Sequence, residues 1–169
     1  ITVGRVTDQK DFITILKALN IVKKSNVELV IIGKGEKEIE IKRYIDLNNL
    51  NKKVRLLGYK KNPFPYIKQA DLFLLSSKFE GLPNVLVEAL YLKKFIISTD
   101  CPTGPKEILD NGRFGELVKI GDYKKIAKLI DNFEKNKIVK NKIREGYKSL
   151  KKYNYKINCE KYYQLIKNY

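Results

Sequence analysis

Glu80 and Glu88 stand eight positions apart in the run S-S-K-F-E-G-L-P-N-V-L-V-E-A-L from Ser76 to Leu90. Glu80 lies beside Gly81 in an expected loop, and Glu88 inside a helix expected to open at Pro83. Upstream, D-L-F-L-L-S-S from Asp71 to Ser77 is an apolar run of strand length. Strand, glycine-containing loop and helix start, in that order, make an anion site. The first backbone N–H groups of a helix are unpaired, and the helix dipole favours negative charge there. Pro83 suits a first helical turn, where its fixed φ fits and its missing N–H had no partner. Carboxylates do not bind phosphate, so Glu80 and Glu88 are read as holding hydroxyls on either side of it. Phosphate in the middle with hydroxyls at both ends describes a nucleotide sugar.

Arg5 and Lys10 follow the first apolar segment in T-V-G-R-V-T-D-Q-K-D. Two cations at the carboxyl end of a strand can clamp a diphosphate and neutralise charge building on a leaving group. Alone they also fit an ordinary surface loop of a Lys-rich chain; Glu80 and Glu88 tip the reading to the clamp. Gly33-Lys34-Gly35 opens like a dinucleotide fingerprint, but Glu38 occupies its third glycine position. It reads as a tight strand-to-helix turn or a close backbone approach. Asn84, Glu88 and Tyr91 recur at helical spacing as a polar stripe beside apolar Val85, Leu86, Ala89 and Leu90. A sheet-facing Glu88 requires a ligand or a cation. Tyr59 either flanks a nucleobase or is an ordinary half-exposed tyrosine. Cys101 to Pro105 reads as a rigid loop near the same sheet edge, with Glu107 in the N-terminal turn of a short helix.

The elements that must position these groups alternate. Strands are expected over 1–4, 27–33, 54–59, 72–77, 95–99 and 115–118, and helices over 11–24, 36–50, 64–69, 83–92 and 105–109. From Tyr123 the chain reads as helices ending in a basic, Tyr-rich segment. Continuous apolar strands alternating with amphipathic helices argue an α/β fold, a parallel sheet covered on both faces. Every chemical feature above falls just after an expected strand, at the carboxyl edge where such sheets bind ligands.

The 169 residues suffice for one domain with a core. At 43% hydrophobic and 32% charged the composition is that of a globular domain rather than a disordered segment. No apolar run approaches the roughly 20 residues of a membrane span, and no signal-peptide pattern opens the chain. A start at strand-like Ile1 and the lack of any Met predict a piece of a longer protein, beginning just before a strand. No His, and Cys101 and Cys159 as the only cysteines, exclude a four-ligand zinc site and fit a reducing, cytoplasmic setting. The formal charge of +16 is carried mostly by Lys. It reads either as solvated faces or as attraction to an anionic membrane surface or a polyanionic substrate. Dispersed Lys pairs and scarce Arg argue against nucleic acid.

Together these residues resemble the C-terminal, nucleotide-sugar-binding domain of the retaining GT-B glycosyltransferases of family 4. Gly4-Arg5-Val6 to Lys10-Asp11 matches that family's G-R-L-x-x-x-K-G except at its last glycine, and Glu80 to Glu88 matches its E-x7-E. Phe95 to Asp100, P-T-G-P-K-E-I-L and G-E-L-V resemble its following segments, so the likeness covers about 1–130. The resemblance implies a Rossmann-like parallel sheet with helices on both faces, the C-terminal half of a GT-B enzyme. It implies that Arg5 and Lys10, with Gly4 beside them, hold the donor diphosphate. It implies too that Glu80 contacts hydroxyls of the donor sugar near its reacting carbon and that Glu88 binds the ribose hydroxyls. By the same resemblance Gly81 and Pro83, with the amides of Leu82, Asn84 and Val85 around them, would meet the distal phosphate. Asp11 in place of glycine puts the tightness of that loop in question.

The expected activity is transfer of a hexose or N-acetylhexosamine from a nucleotide sugar, a UDP-sugar, to a glycan or lipid-linked acceptor. No metal cofactor is expected, since no D-x-D pair occurs and Arg5 and Lys10 supply positive charge. The acceptor half is absent from 1–169, so this domain should bind donor but transfer little. The tail 153–169 either lies on the domain or reaches toward the missing half. A GT-B nucleotide-sugar 2-epimerase and a basic module for anionic lipid or nucleic acid are the competing readings.

Overall fold

A computed structural model describes residues 1–167; Asn168 and Tyr169, the end of the expected tail, lie outside the described residues. Six strands, β1 (Thr2–Val3), β2 (Leu29–Ile32), β3 (Val54–Leu56), β4 (Leu72–Leu75), β5 (Phe95–Thr99) and β6 (Glu116–Val118), alternate with helices. The helices are α1 (Phe12–Ile21), α2 (Glu38–Leu47), α3 (Phe64–Gln69), α4 (Asn84–Tyr91), α5 (Pro105–Ile108), α6 (Tyr123–Asp131), α7 (Lys137–Ser149) and α8 (Tyr155–Lys167). A 3₁₀ turn over Leu150–Tyr153 precedes α8. All ladders are parallel: β1–β2–β3 form one sheet and β4–β5–β6 another. The two meet at Ile1, whose nitrogen donates to the Leu72 carbonyl and whose carbonyl accepts from the Leu74 amide, each at 2.9 Å. Across this seam the order is β3-β2-β1-β4-β5-β6, the doubly wound order of dinucleotide-binding sheets, reversing between β1 and β4.

Both faces are buried, which is why the strands read as continuous apolar runs. Leu74 and Ile97 face a core closed by Phe12, Ile15, Leu16 and Leu19 of α1 with Ile126 and Ile130 of α6. Phe73, Leu75 and Ile96 face the other core, closed by Ile67, Leu86, Leu90 and Ile108. Each such fully buried side chain contributes about 1.5–3 kcal/mol.

Elements stop short of the expected ranges where turns intervene. β3 ends at Leu56 rather than Tyr59 because Gly58 takes φ +64° and its carbonyl accepts from the Gly33 amide. β4 ends at Leu75, because Ser76 and Ser77 turn into a loop. α4 opens at Asn84; Pro83 has ψ 88°, outside the helical range, and serves as N-cap. Asp11, at φ 45° and ψ 50°, adopts the left-handed conformation that glycine favours and keeps the turn tight. Its carboxylate accepts from the Thr14 hydroxyl at 2.7 Å.

Several lysines leave the expected solvated faces to pin carbonyls. Lys94 donates to Lys68 and Ala70 at the end of α3, Lys24 to Phe133, and Lys142 to Gly112, Gly115 and the Glu116 carboxylate. Of α8 no described residue is buried. No helix among the described residues is long and apolar enough to cross a membrane.

Candidate functional site

Open parallel sheets bind ligands outside the carboxyl ends of their strands, where the order reverses. Here that point is flanked by the loop leaving β1, with Gly4, Arg5 and Lys10, and the loop leaving β4, with Ser76 to Pro83. Hydrogen bonds stitch the two together. The Ser76 hydroxyl donates to the Lys10 carbonyl at 2.7 Å, and the Lys78 amide to the Gln9 carbonyl at 2.8 Å. Gln9 Nε2 donates to the Phe79 carbonyl, and Lys78 Nζ to both Asp8 oxygens. The Lys78 bond holds the Asp8 carboxyl below its ordinary value and the Lys78 amine above its own.

At the centre, Lys10 Nζ and Ser77 Oγ both donate to Glu80 Oε1, each at 2.5 Å. The Lys10 and Glu80 side chains are only 15% and 7% exposed, so water screens their attraction little. A Cβ on Gly4 would come to 3.3 Å from Lys10 Cε, so the glycine leaves room for the lysine stem. The loop after β5 buttresses this centre. Glu80 donates its amide to the Pro102 carbonyl at 2.7 Å and accepts from the Thr103 amide at 2.9 Å. Gly104, at φ +91°, packs so closely that a Cβ there would overlap the Gly81 carbonyl and the Pro83 ring. Gly33-Lys34-Gly35 is likewise explained by backbone approach. A Cβ on Gly33 would overlap the Gly4 carbonyl, and one on Gly35 the Val6 carbonyl.

Around this paired centre stand groups without partners. Arg5 is exposed and, among the described residues, its guanidinium has no acceptor. The Asn84 and Val85 amides at the mouth of α4 likewise have none. Glu88, one turn into α4, is half-buried with no cation beside it among the described residues, and burial pushes its carboxyl above the ordinary value. Gly81 and Leu82 are exposed.

Tyr59 is 68% exposed and follows β3, further along the same edge. Beside it lies a cavity of about 280 Å³ lined by Val6, Gly33, Glu38, Leu57 and Gly58. A larger cavity of about 660 Å³ opens at the amino ends of the strands, against Ile1, Asp71 and Leu72, away from every group above. Cys101 is buried at the end of β5, where burial pushes its thiol up and keeps it protonated; Cys159 is exposed on α8. Among the described residues no group of three or more His, Cys, Asp or Glu could hold a metal ion. Ser76 and Ser77 went unread as site residues, since their signal in the sequence is only a place at a strand end. Pro102 acts through its carbonyl, and Thr103 through its amide and a hydroxyl that donates to the Glu80 and Gly81 carbonyls, partners that sequence does not display.

A family model described as glycosyl transferases group 1 matches residues 1–156. The chain belongs to that family. An N-acetylgalactosamine-N,N'-diacetylbacillosaminyl-diphospho-undecaprenol 4-alpha-N-acetylgalactosaminyltransferase of Campylobacter jejuni is 30% identical over 156 residues, 90% of this chain and 42% of the relative. An uncharacterized glycosyltransferase of Methanocaldococcus jannaschii, MJ1059, is 44% identical over 111 residues, 64% of this chain and 27% of that protein. The chain thus spans less than half the length of these relatives. Staphylococcus aureus TarM, solved as a point mutant with fondaparinux, alpha-GlcNAc-glycerol and UDP, superposes with TM-score 0.87 at 24% identity, over 97% of this chain and 34% of that one. A pneumococcal O-GlcNAc transferase, GtfA, solved with UDP and GlcNAc, gives 0.85 at 19%, over 99% and 35%. These likenesses show the fold: the Rossmann-like half of a GT-B glycosyltransferase.

Proposed function

We propose that this group 1 glycosyltransferase chain is the donor domain of a retaining enzyme that transfers a hexose or N-acetylhexosamine from a UDP-sugar to a glycan or lipid-linked acceptor. One observation carries the reading. Groups of the right types, unpaired among the described residues, surround the switch point: a free guanidinium, two helix-mouth amides and a cation-free carboxylate. Arg5 and the Asn84 and Val85 amides take the diphosphate, and Glu88 accepts from ribose hydroxyls. Glu80 meets the sugar, and Tyr59 flanks the base. Lys10, already on Glu80, lies between the diphosphate and the sugar carboxylate. As the glycosidic bond to the leaving phosphate breaks, negative charge grows on UDP; Arg5, Lys10 and the α4 dipole stabilise it there. The chain itself supplies that positive charge, so the reaction is assigned no metal. UDP complexes of TarM and GtfA support the choice of nucleotide.

The acceptor, a glycan or a lipid-linked glycan as in the Campylobacter relative, is assigned to a half outside these residues. This domain alone binds donor without transferring it. Its Lys excess suits work at the cytoplasmic face of an anionic membrane.

Titration of UDP into the chain tests the reading: saturable binding at one per chain is expected, unmatched by unrelated anions. Glu88→Ala weakens it by about 1–3 kcal/mol through lost ribose hydrogen bonds. Absence of UDP binding at millimolar nucleotide overturns the proposal.

A further inference from the structure

We infer that Ser77 is a positioning residue that, with Lys10, fixes one oxygen of Glu80 so that the other stays open to the transferred sugar. The inference rests on the donor reading above and adds to it a residue that reading does not use.

Ser77 is fully buried at the end of β4. A serine hydroxyl has one proton to give, and Ser77 gives it to Glu80 Oε1 at 2.5 Å. Lys10 Nζ donates to that same oxygen at 2.5 Å. Glu80 Oε2 has no hydrogen-bond partner among the described residues, yet it is not one of the buried unpartnered atoms. Both internal donors therefore converge on Oε1, and Oε2 is left accessible with its lone pairs free to accept from a hydroxyl. Ser77 is itself held from behind, since the Thr99 hydroxyl donates to the Ser77 carbonyl at 2.6 Å. Its neighbour Ser76 fixes the other partner, donating to the Lys10 carbonyl at 2.7 Å. Adjacent serines thus tether both members of the ion pair, one by side chain and one by backbone. A carboxylate held by two donors before the ligand arrives loses little rotamer freedom on binding, so the sugar hydroxyl meets an acceptor already aimed.

Affinities of UDP and of the tightest binder among UDP-glucose, UDP-galactose, UDP-N-acetylglucosamine and UDP-N-acetylgalactosamine test this by calorimetry. They are measured on wild type, Ser77→Ala, Glu80→Gln and the double variant. Ser77→Cys, close in volume and a weak donor, repeats the measurement should the alanine variant melt early. Ser77→Ala and Ser77→Cys are expected to leave UDP affinity within about twofold. The preference for the UDP-sugar over UDP falls by up to about tenfold, the cost of ordering a side chain no longer held before the ligand arrives. On the Glu80→Gln background the Ser77 change adds nothing, because it acts only through that carboxylate. Additive losses, an equal loss for UDP, or a wild type that binds no UDP-sugar more tightly than UDP overturns the assignment while UDP binding stands. Absence of UDP binding sinks the donor reading and this inference together.

Discussion

Glu80 shares its Oε1 between Lys10 and Ser77, whereas Glu88, eight residues on in the same motif, has no cation beside it among the described residues. The contrast extends to their surroundings. The loops leaving β1, β4 and β5 are bound to one another through side chains and backbone, from Asp8–Lys78 to Glu80–Thr103. At the mouth of α4 the polar groups are unpaired: the Asn84 and Val85 amides and, one turn on, Glu88. Buried polar groups are normally satisfied. A half-buried carboxylate without partner therefore marks a place where stability is given up, and bound ligand would recover it. The paired loops hold their geometry without a ligand; on the donor reading, the unpaired mouth would supply the affinity.

Substitutions in the two regions should accordingly fail in different ways. Gly104→Ala has the largest expected effect. Its Cβ meets the Gly81 carbonyl and Pro83 ring at a positive φ, so the loops that frame Glu80 must separate. A loss of about 3 kcal/mol is expected from denaturant midpoints, with UDP binding lost as well. An unchanged midpoint would show that the β5 loop is not wedged against the motif. Lys10→Ala comes next. It leaves the nearly enclosed Glu80 carboxylate with Ser77 alone, at a cost of about 2 kcal/mol, and Glu80→Ala in the same chain restores part of it. Arg5→Ala sharpens the comparison from the other side. Exposed and unpaired among the described residues, it should change stability by under about 0.5 kcal/mol yet weaken UDP, because on the donor reading its partner is the ligand. Equal stability losses for Lys10→Ala and Arg5→Ala would erase the distinction.

How much of this was legible follows from what a sequence carries. Strand–helix alternation and the carboxyl-edge placement of Arg5, Lys10, Glu80 and Glu88 were readable, because periodicity and turn chemistry are local. The Lys10–Glu80 pair was not. The two residues are 70 positions apart, and types suited to a diphosphate and a sugar do not announce that they first bind each other. Ser76 and Ser77 read as the end of a strand, since a hydroxyl's partner is a tertiary fact. An aspartate at position 11 in place of glycine puts the loop's tightness in question on sequence alone, yet its carboxylate bonds Thr14 and supports the left-handed turn. Lysines read as solvated faces turned out in part to cap carbonyls, as Lys94 and Lys142 do, because a long flexible amine finds acceptors that only packing creates.

Glu88→Gln has the smallest expected effect on stability and tests the contrast through its sign. Burial raises the Glu88 carboxyl above its ordinary value, so the folded state disfavours the charged form. The stability attached to the neutral carboxyl is full below the unfolded-state value and is lost as pH rises through the raised folded value. At pH 7 wild type carries that loss, and Glu88→Gln, which cannot ionise, is expected to melt no lower than wild type. As pH falls from 7 toward 4, wild type should gain on the variant. Asp8 and Glu145, whose carboxyls Lys78 and Lys148 hold low, act in the opposite direction but equally in both proteins, and cancel in the difference. The same variant should bind UDP more weakly, by about 1 kcal/mol for a ribose hydrogen bond that no longer ends on a charge. A melting difference flat with pH would mean that Glu88 is satisfied in the folded chain after all, and the mouth of α4 would then be no more open than the loops beside it.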